Sequence, residues 1–224
     1  MDGIICIARW QREVIPPGYR GRVYQIDPGY VPHRRLSTAE VNALRRELNV
    51  QPGELLVGGV GRLSYKKGFD VLIAAFEQAA LPNAKLVILG EGSERRRLQR
   101  LCTPRVSLPG FRANIKDYYQ AFDLFVCASR QEPFGFVLLE ALDAGVPVIA
   151  SDALGPREVL ENFPATIFRA GDVDALAALL RRHHTSPHPK VPRDMSRYSL
   201  DSIARQTEAA YRELIDGRPW RSKR

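Results

Sequence analysis

Short runs rich in apolar residues alternate with longer stretches of helical period through the middle of this chain. The runs Leu55 to Val60, Lys85 to Leu89, Arg105 to Leu108, Asp123 to Cys127, Val146 to Ala150 and Ala165 to Phe168 have the length of buried strands. Between them, apolar positions recur every three or four residues over Gly68 to Ala80, Ser93 to Leu101, Ile115 to Phe122, Gly135 to Ala144, Pro156 to Glu161 and Asp172 to His183, which predicts helices. Regular strand–helix succession builds a parallel sheet covered on both faces, so the expected class is α/β, doubly wound. Ligands of such sheets bind in the loops beyond the carboxyl ends of the strands.

The two ends read differently. Ile4 to Ala8 and Val23 to Ile26 are strand-like, parted by Pro16-Pro17-Gly18 and followed by Pro28-Gly29, Pro32 and a helix over Thr38 to Leu48. Pro187, Pro189 and Pro192 then precede an amphipathic helix over Ser199 to Ile215, with Ile203, Ala210, Tyr211 and Leu214 as packing positions. The expected division is 1–50 as a fragment plus linker, 51–198 as the main domain, and 199–224 as a last helix with a basic tail.

Composition narrows the class. The chain has 224 residues, 45% of them apolar, enough for one domain with a two-sided core. No apolar run reaches the ~18 residues of a membrane helix, and the first residues lack a signal peptide's basic start, so a cytosolic protein is expected. Cys6, Cys102 and Cys127 share no metal-like spacing and are expected to be buried, reduced and structural. A net charge of +8 implies an anionic partner without naming it. The clusters Arg45-Arg46, Lys66-Lys67, Arg95-Arg96-Arg97, Arg181-Arg182 and 218–224 are not interleaved with aromatics, which argues against nucleic acid. Contact with an anionic membrane at the inner face stays open, and a solvated helix face is the plainer reading of any single cluster.

Two segments carry candidate chemistry. Gly58 to Asp70 holds Gly61, Arg62, Lys67 and Gly68 where a strand gives way to a helix, a setting in which glycines admit a ligand to the backbone and two cations suit a diphosphate. Gly59-Val60-Gly61 also fits a mere packing turn. A dinucleotide fingerprint would need a third glycine where Ser64 stands, and Lys67 precedes its glycine, unlike a P-loop lysine. Ser129 to Glu140 repeats the arrangement: Pro133 and Gly135 form a helix-opening turn, and Glu132 and Glu140 are carboxylates able to accept from sugar hydroxyls. On spacing alone, Glu140 is as well read as a solvent-facing helix position. Asp152 to Glu158 is equally a structural turn or a ligand loop. The histidines His33, His183, His184 and His188 fall in no motif, and no metal site is expected.

Taken together, these segments resemble the retaining GT-B glycosyltransferases of family 4, the glycosyl transferases group 1. The resemblance is carried in order by Gly61-Arg62-Leu63 to Lys67-Gly68, Leu89-Gly90-Glu91-Gly92, Leu108-Pro109-Gly110-Phe111, Glu132 to Glu140 and Glu140 to Asp152. It implies the Rossmann-like C-terminal half of a GT-B fold, with a crossover helix at its end. It also implies that Arg62 and Lys67 bind and neutralise the donor diphosphate in place of a metal, and that Glu132 acts with them in catalysis. Glu132 and the backbone of Phe134, Gly135, Phe136 and Val137 would hold the sugar, and Glu140 the ribose. The loop Gly110 to Arg112, with Phe111 and Arg112, would lie near the base, and Gly61, Glu91 and Gly92 complete the donor-binding set. The implied donor is a UDP- or GDP-linked sugar, with no cofactor, and the acceptor a glycan or lipid-linked molecule, in motif style closest to lipopolysaccharide and surface-glycan enzymes.

The departures matter too. Of the family's acceptor-binding half, only a final strand and linker are expected, as Asp2 to Pro32, so a closed cleft would need an acceptor-domain polypeptide or a homo-oligomer. Glu161 to Thr166 lacks the usual glycine pair. The rival readings are a sugar-nucleotide-binding module without turnover, an NAD-linked oxidoreductase and a basic nucleic-acid binder.

Overall fold

The computed structural model describes residues 3–161, 163–191 and 193–216. The basic tail, 217–224, lies outside the described residues, as do Asn162 and Pro192. The chain forms two compact units, one of residues up to Val31 together with those from Asp194 onward, the other Pro32–Arg193.

In the smaller unit, β1 (Gly3–Cys6) and β2 (Arg22–Gln25) pair in parallel across the short helix α1 (Trp10–Glu13). The larger unit opens with α2 (Thr38–Glu47). Its Ser37 hydroxyl accepts from the Glu40 N–H at 3.3 Å while the Glu40 carboxylate accepts from the Ser37 N–H at 2.8 Å, a capping box that satisfies two donors at once. There follow β3 (Leu55–Val60), α3 (Phe69–Ala79), β4 (Ala84–Leu89), α4 (Arg95–Gln99), β5 (Val106–Gly110), α5 (Ile115–Tyr119), β6 (Leu124–Cys127), α6 (Phe136–Asp143), β7 (Val148–Ser151), α7 (Leu154–Leu160), β8 (Thr166–Phe168) and α8 (Val173–Thr185). A last helix, α9 (Leu200–Asp216), belongs to the smaller unit.

Strands β3 to β8 form one parallel sheet in the order β5-β4-β3-β6-β7-β8. That is the doubly wound order, and it reverses direction between β3 and β6. Alternation along β3 shows both faces covered: a Cβ on Gly58 would strike Phe122, and one on Gly59 would meet Leu72 and Phe69. On the second of these faces Val57, Leu86, Ile88 and Val126 pack with Leu72 and Phe76 of α3 and Leu176 and Leu180 of α8. On the other, Tyr119 sets its ring 5.2 Å from that of Phe125.

The segment entering the larger unit is pinned to α6. The His33 N–H donates to Asp143 Oδ2 at 2.6 Å, and Arg35 donates to the Asp143 carbonyl at 2.6 Å and to Oδ1 at 2.9 Å. A guanidinium at a helix C-terminus satisfies carbonyls the helix leaves open.

Several boundaries differ from expectation. β5 runs on through Pro109 and Gly110, where the ladder with β4 shifts register, because an edge strand tolerates proline. α7 begins at Leu154, so Pro156 is its third residue rather than its first. Tyr211 is 57% exposed and does not pack, whereas Ala210 is buried. Cys6 and Cys127 are buried, and Cys102 is only half-buried, its thiol donating to the Leu98 carbonyl at 3.4 Å.

One residue fixes how the loops beyond β3 and β6 meet. Gly68 sits at φ +63°, and a Cβ there would lie 2.0 Å from the Ala128 carbonyl oxygen. Gly68→Ala combines left-handed strain with a backbone clash and is expected to cost about 3 kcal/mol, measured by denaturant unfolding. A loss below about 0.5 kcal/mol, the range of neutral surface changes, would contradict this.

Candidate functional site

Because the six strands are parallel, the loops that follow β3, β4, β5 and β6 crowd along one edge of the sheet. Past β3 the chain turns through Gly61 and Arg62 into a 3₁₀ turn, Tyr65–Lys67. Past β6, Ser129 to Gly135 leads into α6 without a side-chain cap. The two loops are tied by main-chain bonds, with the N–H groups of Arg130 and Gln131 donating to the Lys66 carbonyl at 2.8 and 3.2 Å. A bidentate ion pair adds to them: Arg130 donates to both oxygens of Asp70, at 2.7 and 3.0 Å, and lies over the Tyr65 ring, 4.2 Å from its centroid. Burial raises the Asp70 pKa, but Arg130 and Arg97 outweigh it, so the carboxyl titrates below the ordinary range.

This clamp brings Lys67 to Glu132. The ammonium is in direct ion-paired contact with the carboxylate, and their side chains are only 21% and 9% exposed. Ser129 Oγ stands 3.5 Å from the same carboxylate oxygen, and the Glu132 carbonyl accepts from the Gly155 N–H at 3.0 Å, which holds the residue from behind. Asp152 meanwhile accepts from the Ala170 N–H at 2.8 Å, so that patch supports the turn.

Among the loops beyond β3, β4 and β5 opens a cavity of about 390 Å³ lined by Gly61, Arg62, Glu91, Phe111, Arg112 and Ile115 among others. A Cβ placed on Gly61 would be 3.4 Å from Lys67 Cε, so the lysine stem packs against a residue of the cavity wall. Arg62 is exposed, and its guanidinium bonds to no described residue. Phe111 is 69% exposed and presents an open ring face. Arg112, in contrast, is held by Glu47 at 3.1 Å and by the carbonyls of Pro109 and Phe111. Glu91 is paired with Arg95 at 2.9 Å. Gly92 turns its α-carbon against the main chain of Leu63. Phe134 is buried against Phe136, with centroids 5.4 Å apart, while the buried Gly135 is the N-cap of α6 and Phe136 and Val137 are its first residues.

Glu140 is half-buried, which corrects the solvent-facing reading. The Tyr119 hydroxyl donates to its Oε2 at 2.7 Å, and Tyr119 lies one helical turn from Ile115 in the cavity wall. Burial pushes the Glu140 pKa up, opposed by the Tyr119 hydrogen bond and by Lys116. Sequence reasoning missed Tyr119, Asp70, Arg130 and Ser129. Asp70 and Arg130 stood inside the two motifs, but nothing in spacing joins residues 60 positions apart. Among the described residues no cluster of three or more His, Cys, Asp or Glu is arranged to hold a metal ion.

An edge carrying a free guanidinium, a lysine shared with a carboxylate and an exposed aromatic ring has the chemistry to hold a phosphorylated, ring-bearing ligand. Comparison with known proteins adds the family. The family model for glycosyl transferases group 1 matches residues 40–201, most of the chain. The chain belongs to the glycosyl transferases group 1. Among relatives of this chain is the lipopolysaccharide core biosynthesis glycosyltransferase LpsD of Rhizobium meliloti, 36% identical over 64% of this chain and 43% of that protein. Another is the GDP-mannose-dependent alpha-mannosyltransferase of Mycobacterium tuberculosis, 36% identical over 62% of this chain and 36% of that one. The crystal structure of Anabaena Alr3699/HepE in complex with UDP and glucose superposes with a TM-score of 0.82 at 26% identity, covering 93% of this chain and 62% of the other. The architecture is thus that of GT-B glycosyltransferases. The chain spans less than half the length of these two relatives.

The raised Glu140 pKa fixes a pH dependence. A carboxyl whose folded pKa exceeds its unfolded value adds stability below the unfolded value and loses it as pH rises through the folded one. Glu140→Gln is therefore expected to raise the melting temperature at neutral pH, the gain fading once the pH falls below the ordinary carboxyl range of about 4.3. A gain that is constant across pH would contradict a buried, ionising Glu140.

Proposed function

We propose that this chain carries the donor-binding part of a glycosyltransferase that moves a sugar from a UDP- or GDP-linked donor to a glycan or lipid-linked acceptor, with retention of configuration as in family 4. One observation supports the reading: Arg62 and the exposed Phe111 line one cavity, and the loop that carries Arg62 also carries Lys67, paired with Glu132 from the loop beyond the neighbouring strand β6. In this reading residues 51–198 hold the donor. Arg62 and Lys67 grip the diphosphate and stabilise it as it departs, a task for preorganised charge rather than for a protein nucleophile. Glu132 and the N–H groups at the start of α6 hold the sugar, where Gly135 takes the left-handed conformation of the N-cap. Glu140, steadied by Tyr119, accepts from the ribose hydroxyls. Phe111 offers a face to the base, with Gly61, Glu91, Gly92 and Arg112 shaping the wall around it. The acceptor is taken up with a further polypeptide segment or a second copy, and the likeness to LpsD supports a role in lipopolysaccharide or surface-polysaccharide synthesis. We place this work in the cytoplasm, at the inner face of the membrane. Among the described residues no helix is long and apolar enough to cross a bilayer.

The test is calorimetric titration with UDP- and GDP-sugars. One of them is expected to bind, and Arg62→Ala and Lys67→Ala are each expected to weaken it about tenfold or more, some 1.4 kcal/mol. Unchanged affinity in both variants would refute the phosphate grip. Transfer to an acceptor, assayed as release of nucleoside diphosphate, separates an enzyme from a binding module.

A further inference from the structure

Lys67 is a shared cation. Its ammonium is ion-paired with Glu132, and both side chains are largely withdrawn from solvent, so their interaction is weakly screened. Neither partner is free to swing away with its loop. The Lys67 N–H is bound to the Ser64 carbonyl at 3.0 Å, and the Glu132 loop is held by Arg130 and Gln131 on one side and by Gly155 on the other. Any phosphate that takes up Lys67 must therefore settle beside the carboxylate of Glu132.

Building on the donor-site reading above, we infer that Glu132 makes the site discriminate between a sugar nucleotide and a bare nucleoside diphosphate. A sugar nucleotide offers hydroxyl donors that Glu132 can accept as it gives up part of its hold on Lys67. A nucleoside diphosphate lacks the sugar's hydroxyls, its ribose being held at Glu140, and its terminal phosphate carries up to one additional negative charge at neutral pH, about −2 in place of about −1. The carboxylate thus opposes the spent product more than the intact donor. This is discrimination through a repulsive element. It assigns Glu132 a task beyond holding the sugar: weakening the grip on what remains once the sugar has left.

The experiment measures affinities of the wild-type chain, Glu132→Gln and Glu132→Asp for UDP, GDP and their glucose and mannose conjugates at one ionic strength. Glu132→Gln is expected to tighten nucleoside diphosphate binding about fivefold and to weaken the sugar conjugate, a swing in their ratio of about tenfold or more. Glu132→Asp, which draws the charge back by one methylene, should fall between. Glu94→Gln tests for a general field effect, since Glu94 lies beyond β4 paired with Arg97 at 2.7 Å; it is expected to change diphosphate affinity less than about twofold. Unchanged or weaker diphosphate binding in a folded Glu132→Gln protein overturns the inference, as does an equal gain from Glu94→Gln; should the amide variant not fold, Glu132→Asp decides by the same criterion. If the wild type binds no nucleoside diphosphate and no sugar nucleotide, the donor-site reading itself falls, and this inference with it.

Discussion

The larger unit depends on how closely the loops beyond β3 and β6 approach each other. Their strands are neighbours in the sheet, yet Lys67 and Glu132 are 65 residues apart in sequence. Gly68 lets the first loop press its backbone onto the Ala128 carbonyl, and the Lys66 carbonyl accepts two N–H groups from the second. With the main chains fixed in this way, the side chains have little freedom left. Arg130 reaches Asp70, and Lys67 reaches Glu132. Preorganisation of this kind lowers the conformational cost of holding a ligand. A one-atom addition at Gly68 would act on both loops together.

Charge shows the same division between scaffold and site. Several cations of the clusters have local partners. Arg45 is paired with Asp123, Arg95 with Glu91, and Arg97 with Glu94 and Asp70. Pairs at the surface contribute little to stability. Arg62 lines the cavity beyond β3, β4 and β5 with no described partner. Net charge, on its own, therefore says less about the ligand than the position of a single arginine.

Sheet and helices were legible where one physical signal dominated. Leu55–Val60 matches its expected bounds, because a strand buried on both faces shows as an unbroken apolar run. Misreadings arose where a residue type has two uses. Pro109 and Gly110 look like a break but continue an edge strand, and Tyr211 fits the apolar period of α9 yet faces solvent. The site divides in the same way. Arg62, Lys67 and Glu132 could be picked out because glycine-flanked turns after strands have a recognisable chemistry. Glu140 could not be resolved from spacing, since only the fold brings the Tyr119 hydroxyl to it from a different helix. The Asp70–Arg130 clamp was likewise hidden, because long-range pairing leaves no periodic trace.

The central claim, that one edge of the sheet gathers the groups for a sugar diphosphate, is tested most directly by a crystal structure of the chain with a non-transferable sugar nucleotide. The account predicts phosphate oxygens within hydrogen-bond distance of Arg62 and Lys67, the sugar against Glu132 and the start of α6, and the ribose at Glu140. A ligand whose diphosphate lies at the opposite edge of the sheet, away from both cations, would contradict it.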